Sequence, residues 1–337
     1  MQHAVSPSSS RDGSELADHD AETQRGRTAT SPWQVPLKGW KDVLLRTKDE
    51  VQRDQLALTA AAVAFYAMLA IFPGLIGLVS VYGLLFDPAE IEAHVSSVSS
   101  LLPEEARVLL LDFLRGAVNA REKTLGFTAL LGLLAALWSA SSGTASAMTA
   151  INIAYDEVDK RGFIRSRILA MGLTLGFIVV VVVALGLLTV LPIALDIVGL
   201  SSSTDMLLSW LRWPLLVLLG LVGVAVLYHF VPDRAAPKWR WVTPGSLIAV
   251  TLWIIVSALF SLYASHYGNF GKTYGPLASA MVLLLWLYLS SFALLLGAEV
   301  NAELEAQTKI DSTVGPDQPM GQRGAEKADH LGEARST

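Results

Sequence analysis

Six long apolar runs, separated by polar connections, set the pattern of the chain: Leu56–Phe86, Thr124–Ala154, Ile168–Leu195, Met206–Val231, Val242–Ser265 and Tyr274–Ala298. A helix rises 1.5 Å per residue, so about 20 residues cross the hydrocarbon core of a bilayer. Each run is long enough for one crossing and too short for two. Lipid offers the backbone no hydrogen bonds, so each run must satisfy its own N–H and C=O groups, and that requires a helix. The pattern predicts an all-α polytopic membrane protein, a six-helix transmembrane bundle over residues 55–305 with amphipathic helices at the interface. Pro73-Gly74 falls inside the first run and predicts a kink or break there. Arg212 is the one charged residue within a run, and beside Trp210 and Trp213 it can snorkel to the interface.

The flanking segments read differently. Trp33–Arg53 spaces Trp33, Leu37, Trp40, Val43, Leu44 and Val51 among basic residues. Two readings stay open: an interfacial helix on anionic lipid, or a lead-in helix over 33–54 packed on the bundle. Within the connection 87–123, Pro103-Glu104-Glu105 opens a second amphipathic helix, with Pro in the first turn and acids at the positive dipole end. Residues 1–32 and 306–337 are poor in large apolar side chains, and composition predicts that both tails are disordered.

Composition agrees with the membrane reading. Of 337 residues, 53% are apolar and 16% charged, against roughly a quarter charged in a soluble domain. The net charge of −5 gives no bulk affinity for nucleic acid. With no cysteine, disulfides, thiolate metal sites and cysteine nucleophiles are excluded. The N-terminus lacks the apolar segment of a signal peptide. Lys160, Arg161, Arg165 and Arg167 follow the second run, and Arg234, Lys238 and Arg240 follow the fourth; the connections after the third and fifth carry only Lys272. The positive-inside rule then places the even-numbered connections and both termini in the cytoplasm.

The stretch LWSASSGTASAMTAINIAYDE, residues 137–157, carries polar residues at helical spacing. Ser139, Ser142, Ser146, Thr149, Asn152 and Asp156 fall within roughly 140° of arc on a helix. The stripe is either a seam where helices pack closely or one wall of a polar cavity. Glu299 and Asn301 end the sixth run in LLLGAEVNAELE, and a carboxylate at a membrane edge is a functional candidate. Were they to face the stripe, Asn152, Asp156, Glu299 and Asn301 would line one inward vestibule. Gly172 and Gly176 form a GxxxG expected to pack against a neighbour. Walker A, GxSxG, HExxH and paired-histidine signatures are missing. No catalytic, metal or cofactor residue is therefore assigned, and the chain is expected not to be an enzyme.

Three stretches, TAAAVAFYAMLAIFPGLI (59–76), residues 137–157, and 244–305 with YG at 274–275, WLYL at 286–289 and GAEVNAELE at 297–305, resemble the YihY/BrkB family of bacterial inner-membrane proteins. The resemblance covers residues 38–305 and implies six spans with both ends cytoplasmic. It brings no agreed catalytic residues. It brings three older labels: a tRNA-processing ribonuclease, a virulence factor, and export of envelope lipids. Ribonuclease chemistry would need a metal cluster or a His/Lys pair on a basic soluble face, which the sequence does not display. The expectation is transport or translocation of an amphiphilic or envelope-related substrate, with membrane lipids as partners, no nucleic acid and no cofactor. The alternative is a non-transporting scaffold or envelope assembly factor.

Overall fold

The computed structural model describes residues 22–85, 127–198, 202–267 and 276–335. The expected outer amphipathic helix of 87–123 and most of the N-terminal tail, residues 1–21, lie outside these. Among the described residues, a short 3-10 turn, Pro32–Gln34, leads into helix α1, Leu37–Arg53. Six long helices follow: α2, Leu56–Leu85; α3, Phe127–Ala154; α4, Phe163–Val198; α5, Ser202–Phe230; α6, Trp239–Tyr267; and α7, Pro276–Glu305. One turn of helix, α8, Glu326–Asp329, lies in the C-terminal segment.

The segments Phe163–Leu188, Trp210–Phe230, Trp239–Tyr263 and Ala280–Glu305 are each long and apolar enough to cross a membrane, and α1 with the first part of α2 makes a fifth if that bent pair is counted as one. The chain is an all-α polytopic membrane bundle. Its exterior is apolar in the way lipid requires: Ile168, Phe177, Trp210, Leu218, Leu259 and Leu262 all face outward.

Helix α7 is the hub. It packs on α6, α2, α1 and α3, while α2 packs along α3 and the remaining helices join as sequential neighbours. At the α6–α7 crossing the two backbones touch: a Cβ built on Gly245 would lie 2.1 Å from the Gly297 carbonyl oxygen. The Tyr228 hydroxyl donates to the Leu294 carbonyl oxygen at 2.5 Å, tying α5 to the same place. Small residues set this distance, as in other membrane bundles where helices gain little from apolar burial and approach through glycine. Between α3 and α4 the contact is a hydrogen bond between the Thr144 and Thr174 hydroxyls, 2.7 Å long.

Three expectations are corrected. Helix α2 is continuous through Pro73, so the chain does not break there. The break comes earlier, where α1 meets α2 at 64°; Gln55, at φ 48°, turns the chain there through the left-handed region. The GxxxG at Gly172 and Gly176 has no neighbour within 4 Å, and Thr174 between them makes the contact instead. Residues 306–335 are not a loose tail. Asp311, Ser312, Thr313, Arg323, Ala325 and Lys327 are buried against the end of the bundle. Apolar composition does not reveal this, because the segment is held by hydrogen bonds and ion pairs rather than by a greasy face.

Candidate functional site

From Gly297 to Thr308 every residue is buried, and after Gly297 the odd positions are Glu299, Asn301, Glu303, Glu305 and Gln307. Alternating polar residues on a helix step 200° each time and so point to opposite sides. A buried polar group needs its own partner, and the fold supplies a different one on each side of α7.

Asn301 accepts from the Gly245 N–H at 2.7 Å and donates to the Val242 carbonyl oxygen at 3.1 Å, fixing α6. Glu303 takes the Arg46 guanidinium of α1 and the Lys327 ammonium, the latter at 2.8 Å. Glu305 holds Arg234 at 2.6 Å, both fully buried, while the Ser312 hydroxyl donates to the same carboxylate at 2.7 Å. Gln307 accepts from Arg46 and donates to the Arg25 carbonyl oxygen. The last turn of α7 thus gathers α1, α6, the connection after α5 and the C-terminal segment. Both basic connections meet at this end too: the Lys160 N–H donates to Asp233, and the Glu326 N–H to Glu157.

Glu299 stands apart. It is fully buried, and neither carboxylate oxygen receives a hydrogen bond from an N–H or hydroxyl among the described residues. The group against it is the Asp54 carboxyl. Asp54 sits at the α1–α2 break, where carboxylate oxygens of Glu50, Asp54 and Asp156 lie within 4.8 Å of one another. Lys327 is set among these acids, 2.8 Å from Asp156 and 3.5 Å from Glu50, and Arg53 pairs with Glu50 at 3.0 Å. Burial, with the Asp156 charge added, pushes the Asp54 carboxyl up to about 6. Burial pulls the Lys327 ammonium down, but the Glu303 and Asp156 carboxylates outweigh it and the net shift is upward.

The stripe on α3 divides. Ser142, Ser146 and Thr149 line a cleft of about 540 Å³ between α2 and α3, with Thr59 and Tyr66 opposite and Arg167 of α4 at the side; Leu58, Ala62 and Ile153 supply apolar wall. From Ser142 to Ile153 the lining covers about 16 Å of helix. The hydroxyls of Ser142 and Thr149 donate to their own helix, at the Ser139 and Ala145 carbonyl oxygens, which leaves the oxygens as acceptors. The Arg167 guanidinium lies 4.4 Å over the Trp138 ring and donates to the Trp138 carbonyl oxygen. Its Nε is buried without an acceptor among the described residues.

Ser139 is exposed and lies outside the cleft lining. Asn152 is buried, donates to the Met148 carbonyl oxygen at 2.9 Å, and accepts from the Asp233 N–H at 2.9 Å, so it anchors a connection. Ser139 apart, the other seven candidates fall into three places. Ser142, Ser146 and Thr149 share the cleft; Asp156 and Glu299 flank Asp54 in the acidic cluster; Asn152 and Asn301 tie backbone.

Sequence reasoning missed Glu50, Asp54, Lys327 and Arg167. Asp54 carried a readable signal, as an acid immediately before an uncharged run, the same argument applied to Glu299. Lys327 carried none.

Comparison with known proteins agrees with this architecture. The family described as Virulence factor BrkB matches residues 47–321. The ribonuclease-like protein YfkH of Bacillus subtilis (strain 168) is 34% identical over 259 residues, 74% of this chain and 90% of that protein. A UPF0761 membrane protein of Tolumonas auensis is 37% identical over 87 residues, 26% of this chain and 28% of that protein. The UPF0761 membrane protein IL2447 of Idiomarina loihiensis is 33% identical over 97 residues, 29% of this chain and 34% of that protein. No solved structure matches the chain.

Proposed function

The chain belongs to the virulence factor BrkB family, and from that premise we propose that it is a non-catalytic, multi-pass inner-membrane protein that moves an amphiphilic, envelope-related substrate. The cleft between α2 and α3 carries the reading. Both walls interleave hydroxyls, those of Thr59, Tyr66, Ser142, Ser146 and Thr149, with the apolar side chains of Leu58, Ala62 and Ile153, and Arg167 brings a guanidinium whose Nε has no acceptor among the described residues. A molecule with an acyl part and an anionic head satisfies both kinds of group at once.

Six spans with both termini in the cytoplasm complete the proposal. The two basic connections, α1 and the C-terminal segment all meet at one end of the bundle, the arrangement that the loop charges require. The ribonuclease-like name of one relative does not transfer. Arg46, Arg234, Arg323 and Lys327 at this end are engaged with carboxylates or carbonyls, so these four are not free to take RNA phosphates.

Filling the cleft tests the reading. Ser146→Trp places an indole between α2 and α3 without touching the buried ion pairs. In a deletion strain carrying this variant at wild-type protein level, the membrane and envelope lipid profile is expected to match the deletion. A profile restored to wild type would remove the cleft from the transport path.

A further inference from the structure

Five carboxylates, Glu50, Asp54, Asp156, Glu299 and Glu303, converge at the inner end of α7, and three cations answer them. Arg46 and Lys327 hold Glu303. Lys327 also holds Asp156, and Arg53 holds Glu50 at 3.0 Å. Asp54 and Glu299 are left facing each other. Glu299 is fully buried, and neither oxygen has an N–H or hydroxyl donor among the described residues, yet it stands within hydrogen-bonding reach of the Asp54 carboxyl.

Two ionised carboxylates have only acceptors to offer one another. A hydrogen bond between them exists only when one carries a proton, and two like charges this close in a buried site cannot both persist. We infer that Asp54 and Glu299 form a proton-binding site that holds a single proton between the two carboxyls. Glu299 is the enclosed half. Asp54, only partly buried at the break between α1 and α2, is the half through which the proton exchanges with water.

The surroundings set the occupancy. From α1 come Glu50 and Arg53; from the end of α3, Tyr155 and Asp156; from α7 itself, Glu303; from the C-terminal segment, Lys327. The acids favour keeping the proton, and Lys327 opposes them. The C-terminal segment, which places Lys327 there, is therefore part of the site. The Thr59 hydroxyl, on the cleft wall, donates to the Asp54 carbonyl oxygen at 3.2 Å, so the site adjoins the foot of the cleft. The inference rests on these contacts and not on the transport reading. If a substrate does move through the cleft, this proton is placed to be coupled to it.

Infrared spectroscopy of the purified full-length protein, in a detergent free of ester and carboxyl groups, reads the site directly through the carbonyl stretch of a protonated carboxylic acid. Wild type is expected to show such a band at neutral pH, well above the ordinary carboxylate range of about 4. Glu299→Gln supplies an amide donor to Asp54 in place of the shared proton, and is expected to lose one carboxyl's worth of the band. Asp54→Asn removes the neighbouring charge and is expected to move the band's titration to lower pH. This second variant keeps the test decisive if the first does not fold. No band in wild type at neutral pH, an undiminished band in Glu299→Gln, or an unmoved titration in Asp54→Asn would each overturn the assignment.

Discussion

A methyl group at Gly297 would lie 2.5 Å from the Gly245 carbonyl oxygen, 2.5 Å from the Tyr228 hydroxyl and 2.7 Å from the Ala249 methyl. Two of those neighbours belong to the facing helix, so relief requires α6 and α7 to separate. Overpacking of this kind costs roughly 1–3 kcal/mol, and Gly297→Ala is expected to lower the melting temperature in detergent by several degrees. At Gly172 and Gly176 nothing stands within 4 Å. Alanine there is expected to leave the melt unchanged or raise it slightly, because it restrains the unfolded chain. A sequence motif would have ranked these positions the other way round. GxxxG names spacing, whereas the single glycines at 245 and 297 are read as contacts only once two distant helices are brought together.

The last turn of α7 shows which part of the fold was legible as an element and which was not. Each long helix announced itself through an unbroken apolar run, since the bilayer reading needs only length and the absence of charge. Arg46 with Glu303, Lys327 with Asp156 and Arg27 with the Gly332 carbonyl oxygen join residues that lie 171 to 305 positions apart, and local pattern carries no trace of them. Composition therefore read the C-terminal segment as disordered. Its order rests on carboxylates that accept backbone N–H groups: Asp311 from Thr313 and Gln318, Asp329 from Gly321, Arg323 and Gly324. Burial alone would raise both acids, but these bonds outweigh it and hold each below its usual value of 3.8. Their contribution is complete above that value and is lost as pH falls through the lowered folded values. Hydrogen exchange corrected for intrinsic rate is expected to show protection of residues 311–330 unchanged from neutral pH down to about 4, then collapsing on further acidification while α5 and α6 stay protected. Asp54 carries the opposite sign, since a raised carboxyl stabilises below its unfolded value and loses that contribution as pH rises through about 6. Protection that fell in parallel across the segment and the helices would mean that these two acids do not hold it.

At the scale of the whole molecule the polar and apolar parts are segregated by end as well as by depth. Charged side chains crowd the end where α7 terminates, and buried acids and cations there are matched almost one for one. Along α4, α5 and α6 the outward residues are Phe, Trp, Leu, Ile and Val. Helix α1 bridges the two regimes. Asp42, Arg46 and Thr47 turn inward to the polar end, while Leu37 and Leu44 stay exposed beside Lys41 and Lys48. That face suits a lipid interface with anionic headgroups, which would set the charged end at the membrane surface. One face of α1 packs on α7, as the lead-in reading of the sequence expects, and the other looks out. Orientation then becomes a single testable statement. The chain has no cysteine, so one introduced thiol reports one position. Cysteine at Lys41, Gly162 or Gln318, all exposed at the charged end, is expected to react with a membrane-impermeant maleimide only after the cells are permeabilised. Cysteine at Ser97 or Asn269, in connections that the loop charges assign to the outside, is expected to react in intact cells. Labelling with the two sets exchanged would invert the bundle. Labelling of Ser97 and Gly162 from the same side would mean that α3 does not cross, and would reduce the six proposed spans.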